Sequence, residues 1–226
     1  MSLTKASEIS TWTIEIGDEC PNFTLESQVG MITWHDLIDG KWALLLTFNT
    51  AFDPVATTEI GMLCKLIDEF QARNITVVGM GADTVVHYRE WIRDIEELQN
   101  VKVKIPLLSD FDCAVMKQFG CARPVPPDNV IKPIAHGVFL VDIDRRVRIG
   151  MKYSTSIGRN LYEIIRAFDA MQLTIYHKVV VPANWGNGNE VMVHNSCSND
   201  EAREALPKGF VEIKKWFRVT PAPDRS

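Results

Sequence analysis

Three continuous apolar runs constrain this chain more than anything else in it: Trp42-Ala43-Leu44-Leu45-Leu46-Thr47-Phe48, Ile75-Thr76-Val77-Val78-Gly79-Met80-Gly81 and Gly137-Val138-Phe139-Leu140-Val141-Asp142. Each has strand length, and none shows the apolar–polar alternation of a half-exposed strand. They read as strands covered on both faces of a sheet. Between them lie segments with a helical period. Residues 58–73 place Ile60, Leu63, Cys64, Ile67 and Phe70 on one face. Residues 84–97 and 112–119 read as two further helices, and 160–171 as a fourth with Leu161, Ile164, Ile165 and Phe168 on its buried stripe. Alternating strands and helices predict an α/β fold with a central mixed sheet flanked by helices. Asp142-Ile143-Asp144-Arg145-Arg146 predicts a hairpin turn into a strand at 147–150.

The composition changes after Leu173. Val179-Val180-Val181-Pro182 opens a stretch rich in Pro, Asn and Gly that runs to Thr220-Pro221-Ala222-Pro223. It reads as a small C-terminal β-rich domain of short strands. The predicted organisation is a core over 1–171 and a tail domain over 172–226, with Trp185 in the tail's core and the last three residues frayed. Pro124-Val125-Pro126-Pro127 reads as a stiff loop.

Several function classes are disfavoured. Net charge is −5 with no basic block, so nucleic acid and anionic membrane are poor partners. No apolar run approaches the ~18 residues of a membrane span. Met1-Ser2-Leu3-Thr4-Lys5-Ala6-Ser7-Glu8 lacks the apolar stretch of a secretory leader, which predicts a cytoplasmic protein. The five cysteines, Cys20, Cys64, Cys113, Cys121 and Cys197, show no CxxC and no Cys/His spacing suited to zinc. Free thiols are expected, with no metal and no cofactor.

The segment Phe48-Asn49-Thr50-Ala51-Phe52-Asp53-Pro54-Val55-Ala56-Thr57-Thr58-Glu59 is the most informative for function. Its frame resembles the active-site loop of a peroxiredoxin, P-x-x-x-T-x-x-C followed by T-T/S-E. Further matches extend along the chain. Gly17-Asp18-Glu19-Cys20-Pro21-Asn22-Phe23 is similar to G-D-x-x-P-N-F, and Trp34-His35-Asp36 to F-H-D. Gly158-Arg159-Asn160 with Glu163-Ile164-Ile165-Arg166 is similar to the helix start T-G-R-N-F-D-E-I-L-R. Pro182-Ala183-Asn184-Trp185-Gly186-Asn187-Gly188 with Val191-Met192-Val193, Pro207-Lys208-Gly209 and Phe217-Arg218-Val219-Thr220-Pro221 resemble the tail of the 1-Cys, peroxiredoxin-6-type branch. The resemblance implies a thioredoxin-like core, a C-terminal domain and a homodimer joined through sheet edges.

A thiol peroxidase needs a thiolate, plus cationic and hydrogen-bonding groups that lower its pKa and polarise the O–O bond. The resemblance implies that a Thr hydroxyl and backbone amides bind peroxide, an Arg stabilises the thiolate, and a Pro shields it. At those positions this chain carries other residues. Ala56 stands at the nucleophile, Asp53 at the Thr, Asn49 at the loop Pro, and Cys113 at the later Arg. His136 stands at a second Arg, and Phe48 at the family's His. Asp53 does not donate a hydrogen bond in its ordinary anionic form and disfavours an adjacent thiolate. The branch's lipase-like Gly-x-Ser-x-Gly stretch reads Asp39-Gly40-Lys41-Trp42-Ala43, with Lys41 at the serine, which leaves His35 as a packing or hydrogen-bonding residue.

No standard catalytic set is intact, and a pseudoenzyme with a binding, scaffolding or structural role is expected. The alternatives are a peroxidase working through another cysteine such as Cys113, an Ala56 engineered from Cys, or a ligand pocket over Ala56. Joint departure at four active-site positions argues for divergence rather than one engineered change. Cys113 otherwise reads as a free cysteine, with no neighbouring cation to lower its pKa. Cys121 lies two helical turns, roughly 12 Å, beyond it, outside disulfide reach unless the helix ends near Gly120. Asp53 and His136 could form a pair, but no third metal ligand accompanies them.

Overall fold

The structure, a computed structural model, describes residues 13–223. The expectations for residues 1–8 and for the last three residues fall outside the described residues. The chain divides into two compact units, the first ending at Arg159 and the second beginning at Asn160.

The first unit runs β1 (Thr24–Ser27), β2 (Gly30–Thr33), α1 (Trp34–Leu37), β3 (Trp42–Phe48), α2 (Pro54–Lys65), α3 (Ile67–Gln71), β4 (Ile75–Gly81), α4 (Val85–Gln99), β5 (Leu107–Ser109), α5 (Ala114–Gln118), β6 (Ala122–Val125), β7 (Val130–Pro133), β8 (His136–Val141) and β9 (Val147–Tyr153). Seven strands form one sheet in the order β2-β1-β5-β4-β3-β8-β9. β3 pairs parallel with β4, from Trp42 opposite Ile75 to Phe48 opposite Gly81, and antiparallel with β8. β8 turns into antiparallel β9 at the predicted hairpin. The three apolar runs are thus β3, β4 and β8, in the mixed sheet expected of a thioredoxin-like core. All seven residues of β3 are buried, as a central strand without alternation requires.

The helices depart from the sequence reading at their ends. The helix expected at 58–73 starts four residues earlier and breaks at Leu66, giving α2 and α3. Asp53-Pro54 supplies the missed start: Asp53 caps with its side chain, and Pro54 has no first-turn N–H to leave unpaired. α4 starts on a Thr84 cap and stops at Asn100 in the left-handed region, close to expectation. α5 is three residues shorter than predicted, because Asp112 and Cys113 belong to its cap. Pro124 and Val125 lie in β6, so only Pro126 and Pro127 of the proposed stiff loop lie in the turn between β6 and β7.

The second unit runs α6 (Leu161–Tyr176), β10 (Val179–Val180), β11 (Val191–Val193), α7 (Asn199–Ala205), β12 (Val211–Lys214) and β13 (Phe217–Thr220). Its four strands are antiparallel in the order β10-β11-β13-β12. Ala170 and Leu173 of α6 pack in one core with Val179, Trp185, Val191 and Leu206. The compact unit opens at Asn160, which caps α6, whereas composition changes only after Leu173. Trp185 is 2% exposed, and its indole N–H donates to Asn189 O.

Candidate functional site

The site is assembled where β3 ends, α2 begins and β8 starts. Asp53, extended at φ −70°, places its Oδ1 2.8 Å from the Ala56 amide. Its carbonyl accepts from the Thr57 amide at 2.9 Å and the Thr57 hydroxyl at 2.7 Å. That hydroxyl also accepts from Trp91 Nε1 at 2.9 Å, tying α4 to the first turn of α2. The Ala56 methyl is fully buried. An anionic oxygen at a helix N-terminus is favourable through both the amides and the helix dipole. Here the chain's own carboxylate fills that place.

One turn further along α2 is Glu59, 3% exposed and held by Arg159. Arg159 donates to Glu59 Oε1 from its backbone amide at 2.7 Å and from Nε at 2.8 Å, and from Nη2 to Oε2. Its Nη1 donates to Thr47 O at 2.9 Å and Gly137 O at 2.7 Å. One guanidinium thus joins α2 to the ends of β3 and β8. Such a bidentate, fully hydrogen-bonded pair is the geometry in which buried opposite charges are tolerated. Glu59 lies in the T-T-E motif and Arg159 in the G-R-N motif. Both motifs are plain in the sequence, but their pairing spans 100 positions, so no local signal joins Glu59 and Arg159 to the site.

His136 is fully buried beside this pair. Its Nδ1 is 3.6 Å from Glu59 Oε2, too long for a hydrogen bond, and neither ring nitrogen has a partner among the described residues. Burial and then the Arg159 charge push the imidazole toward neutrality, against the opposing pull of Glu59 and Asp53. Asn49 accepts from the Ala82 amide through its backbone carbonyl, while its buried Oδ1 has no partner. Phe48 packs 5.8 Å from Tyr88 and 5.3 Å from Trp91, between ring centroids. Its ring also lies where a Cβ on Gly81 would sit, so that position admits glycine.

The structure therefore brings Asp53, Ala56 and His136 together with the unanticipated Glu59 and Arg159. Cys113 belongs to a core cluster with Cys20, Leu108, Met116 and Phe119, which does not include Ala56. Its backbone is left-handed at φ 59°, and its thiol is pushed up to about 11 by burial and the nearby Asp110 and Asp112. Burial raises the other shifted thiols too: Cys20 to about 12, with Cys64 and Cys121 in the same direction. All five cysteines are free. Cys113 caps the start of α5 and Cys121 lies past its end, with Gly120 in a positive-φ turn between the helix and Cys121. His35 hydrogen-bonds the Cys20 carbonyl at 2.7 Å, a structural role, and Lys41 is exposed. Among the described residues no three His, Cys, Asp or Glu side chains converge as a metal-ligand set.

The AhpC/TSA family profile matches residues 16–149, more than half of the chain. The chain belongs to the peroxiredoxin family. The profile for the C-terminal domain of 1-Cys peroxiredoxins matches residues 170–209, which places it in the 1-Cys, peroxiredoxin-6-type branch. A 1-Cys peroxiredoxin of Dictyostelium discoideum is 37% identical, covering 94% of this chain and 87% of the relative. Peroxiredoxin-6 of Mus musculus is 34% identical, covering 92% and 97%. A structure of yeast mitochondrial 1-Cys peroxiredoxin superposes with a TM-score of 0.85 at 31% identity, covering 92% of this chain and all of that one. A Cys-to-Ser mutant of the peroxiredoxin 6 of Arenicola marina also gives 0.85, at 29% identity, with 93% and 99% covered. The peroxiredoxin core is thioredoxin-like, as expected from the sequence. No helix among the described residues is long and apolar enough to cross a membrane.

Proposed function

We propose that this peroxiredoxin-family protein lacks the standard thiol peroxidase activity and serves a binding, scaffolding or structural role. One observation carries the reading. At the head of α2, where peroxidase chemistry needs a thiolate and free amides, the side chain is the buried Ala56 methyl and the Ala56 amide is already bonded to Asp53. Peroxide would find neither a nucleophile nor an open anion site there. Asn49, Cys113 and His136 depart from the peroxidase pattern together with Asp53 and Ala56, so several parts of the machinery differ at once.

Family membership favours the competing reading, a peroxidase acting through Cys113 or an Ala56 engineered from Cys. Against its first form stands the thiol of Cys113, 2% exposed and shifted away from the thiolate. Against a ligand pocket over Ala56 stands the polar character of its neighbours Asp53, Glu59, Arg159 and His136, which do not make the apolar cavity that reading requires. β9 is the last strand of the sheet, and beyond Val147, whose amide and carbonyl bond Asp18 and Gly17, its edge offers the strand through which a homodimer would form. A cytoplasmic location is part of the proposal, although one relative is mitochondrial.

Stopped-flow peroxide consumption by the reduced protein tests the proposal, beside Cys113→Ser and Ala56→Cys variants. The expected result is no protein-thiol-dependent consumption by the native chain. Stoichiometric consumption that disappears in Cys113→Ser would overturn it.

A further inference from the structure

Away from α2, the turn after α5, the β6–β7 hairpin and β9 border an open cleft of about 890 Å³. That is the size of a small-molecule site. Lys117 from α5, Arg123 from β6 and Lys152 from β9 line it, with Ile131 and Ile134 supplying apolar wall. Among the described residues Asp112 is the one acid in the lining, and its Oδ1 accepts from the Ala114 amide at 3.1 Å. Three cations against one acid give the described lining a charge of +2, in a chain whose net charge is −5. None of the three cations makes an ion pair with a carboxylate among the described residues. The Lys152 ammonium lies against Gly120, at φ +64°, where a Cβ would collide with it. The absence of a side chain there lets the amine rest over the turn.

We propose that this cleft is a binding site for a small organic anion, a phosphate or carboxylate head on a compact apolar body. The three cations would meet the head, and Ile131 and Ile134 the body. Cationic groups gathered around a concave, partly apolar wall attract such a ligand from solution and strengthen its hydrogen bonds. The site is separate from α2 and requires no thiol, so it stands whether or not the protein turns over peroxide.

Isothermal titration calorimetry of the full chain at low salt tests it with phenyl phosphate and benzoate, beside inorganic phosphate and neutral phenol. Saturable 1:1 binding of one or both organic anions is expected, with phenol and inorganic phosphate each weaker by roughly tenfold. Phenyl phosphate favoured over benzoate would identify a phosphate head, and the reverse a carboxylate. The double variant Lys117→Gln/Lys152→Gln is expected to weaken binding by roughly tenfold or more, from two charge-assisted contacts. Arg89→Gln, outside the lining, is expected to bind as the native chain does. If the double variant fails to fold, Arg123→Gln, at an exposed strand position, takes its place. No saturation, equal affinity for phenol, or unchanged affinity in the charge variants would overturn the proposal. So would a change of oligomeric state in those variants, by sedimentation velocity, without any ligand binding, since the cleft would then belong to a contact between copies.

Discussion

Replacing Arg159 with Met tests whether the buried Glu59–Arg159 pair holds the first unit together. Met retains much of the apolar stem but removes the guanidinium. Among the described residues, Glu59, with a side chain 2% exposed, would keep only the Arg159 backbone amide as donor, and Thr47 O and Gly137 O would each lose one. Removing one partner of a buried pair costs about 3–5 kcal/mol, because the other charge stays desolvated and unpaired. In a chain of this size each kcal/mol moves Tm by roughly 2–4 °C, so a loss near 4 kcal/mol predicts a fall of about 8–16 °C. Near-ultraviolet circular dichroism during heating at neutral pH would follow it. The double variant Glu59→Gln/Arg159→Met removes both charges and is expected to be less destabilised than the sum of the single changes. In Arg159→Met, His136 loses a cation that keeps it neutral and faces a bare carboxylate 3.6 Å away, so its NMR titration is expected to move upward. A Tm change below about 3 °C with an unmoved His136 titration would refute the reasoning.

Two further outcomes follow from the same site. His136 has a folded-state pKa below its ordinary value of 6.5, so the unfolded chain takes up the proton first. Its contribution to stability is present above about pH 6.5 and declines as pH falls below it, by at most about 1.4 kcal/mol per pH unit. Urea unfolding from pH 7.5 to 5 is expected to show a smaller acid-side loss in His136→Gln than in the native chain, with parallel curves counting against it. For Ala56→Cys, the Asp53 carboxylate beside the introduced thiol disfavours the thiolate. Adding Asp53→Thr is expected to speed iodoacetamide alkylation roughly tenfold, about one unit of thiol pKa. Equal rates would show that Asp53 does not govern that position.

The sheet was legible because its central strands are long, mostly apolar runs without apolar–polar alternation, in which Thr47, Thr76 and His136 are isolated polar positions, and such a run admits few other fates. The tail was legible through its Trp and Pro–Gly pattern. Helix ends were less so. Periodicity alone starts the helix after β3 at Thr58, whereas the Asp53-Pro54 cap starts α2 at Pro54, and α6 runs past its expected end because its apolar stripe continues through Leu173.

From the sequence comes the proposal that Ala56, Asp53, Asn49, Cys113 and His136 occupy positions where a peroxidase would carry other residues, since register within a motif is local information. The sequence could not determine what those residues do. That Asp53 turns back onto the Ala56 amide depends on the backbone path into α2. That Glu59 and Arg159 pair depends on β3, β8 and the residue before α6 being brought to one point. Cys113 reads in sequence as a free cysteine or an alternative nucleophile, and its burial among Leu108, Met116 and Phe119 makes it a poor nucleophile. Charge, solvation and hydrogen bonding belong to neighbourhoods in space, and only the tertiary structure decides who the neighbours are.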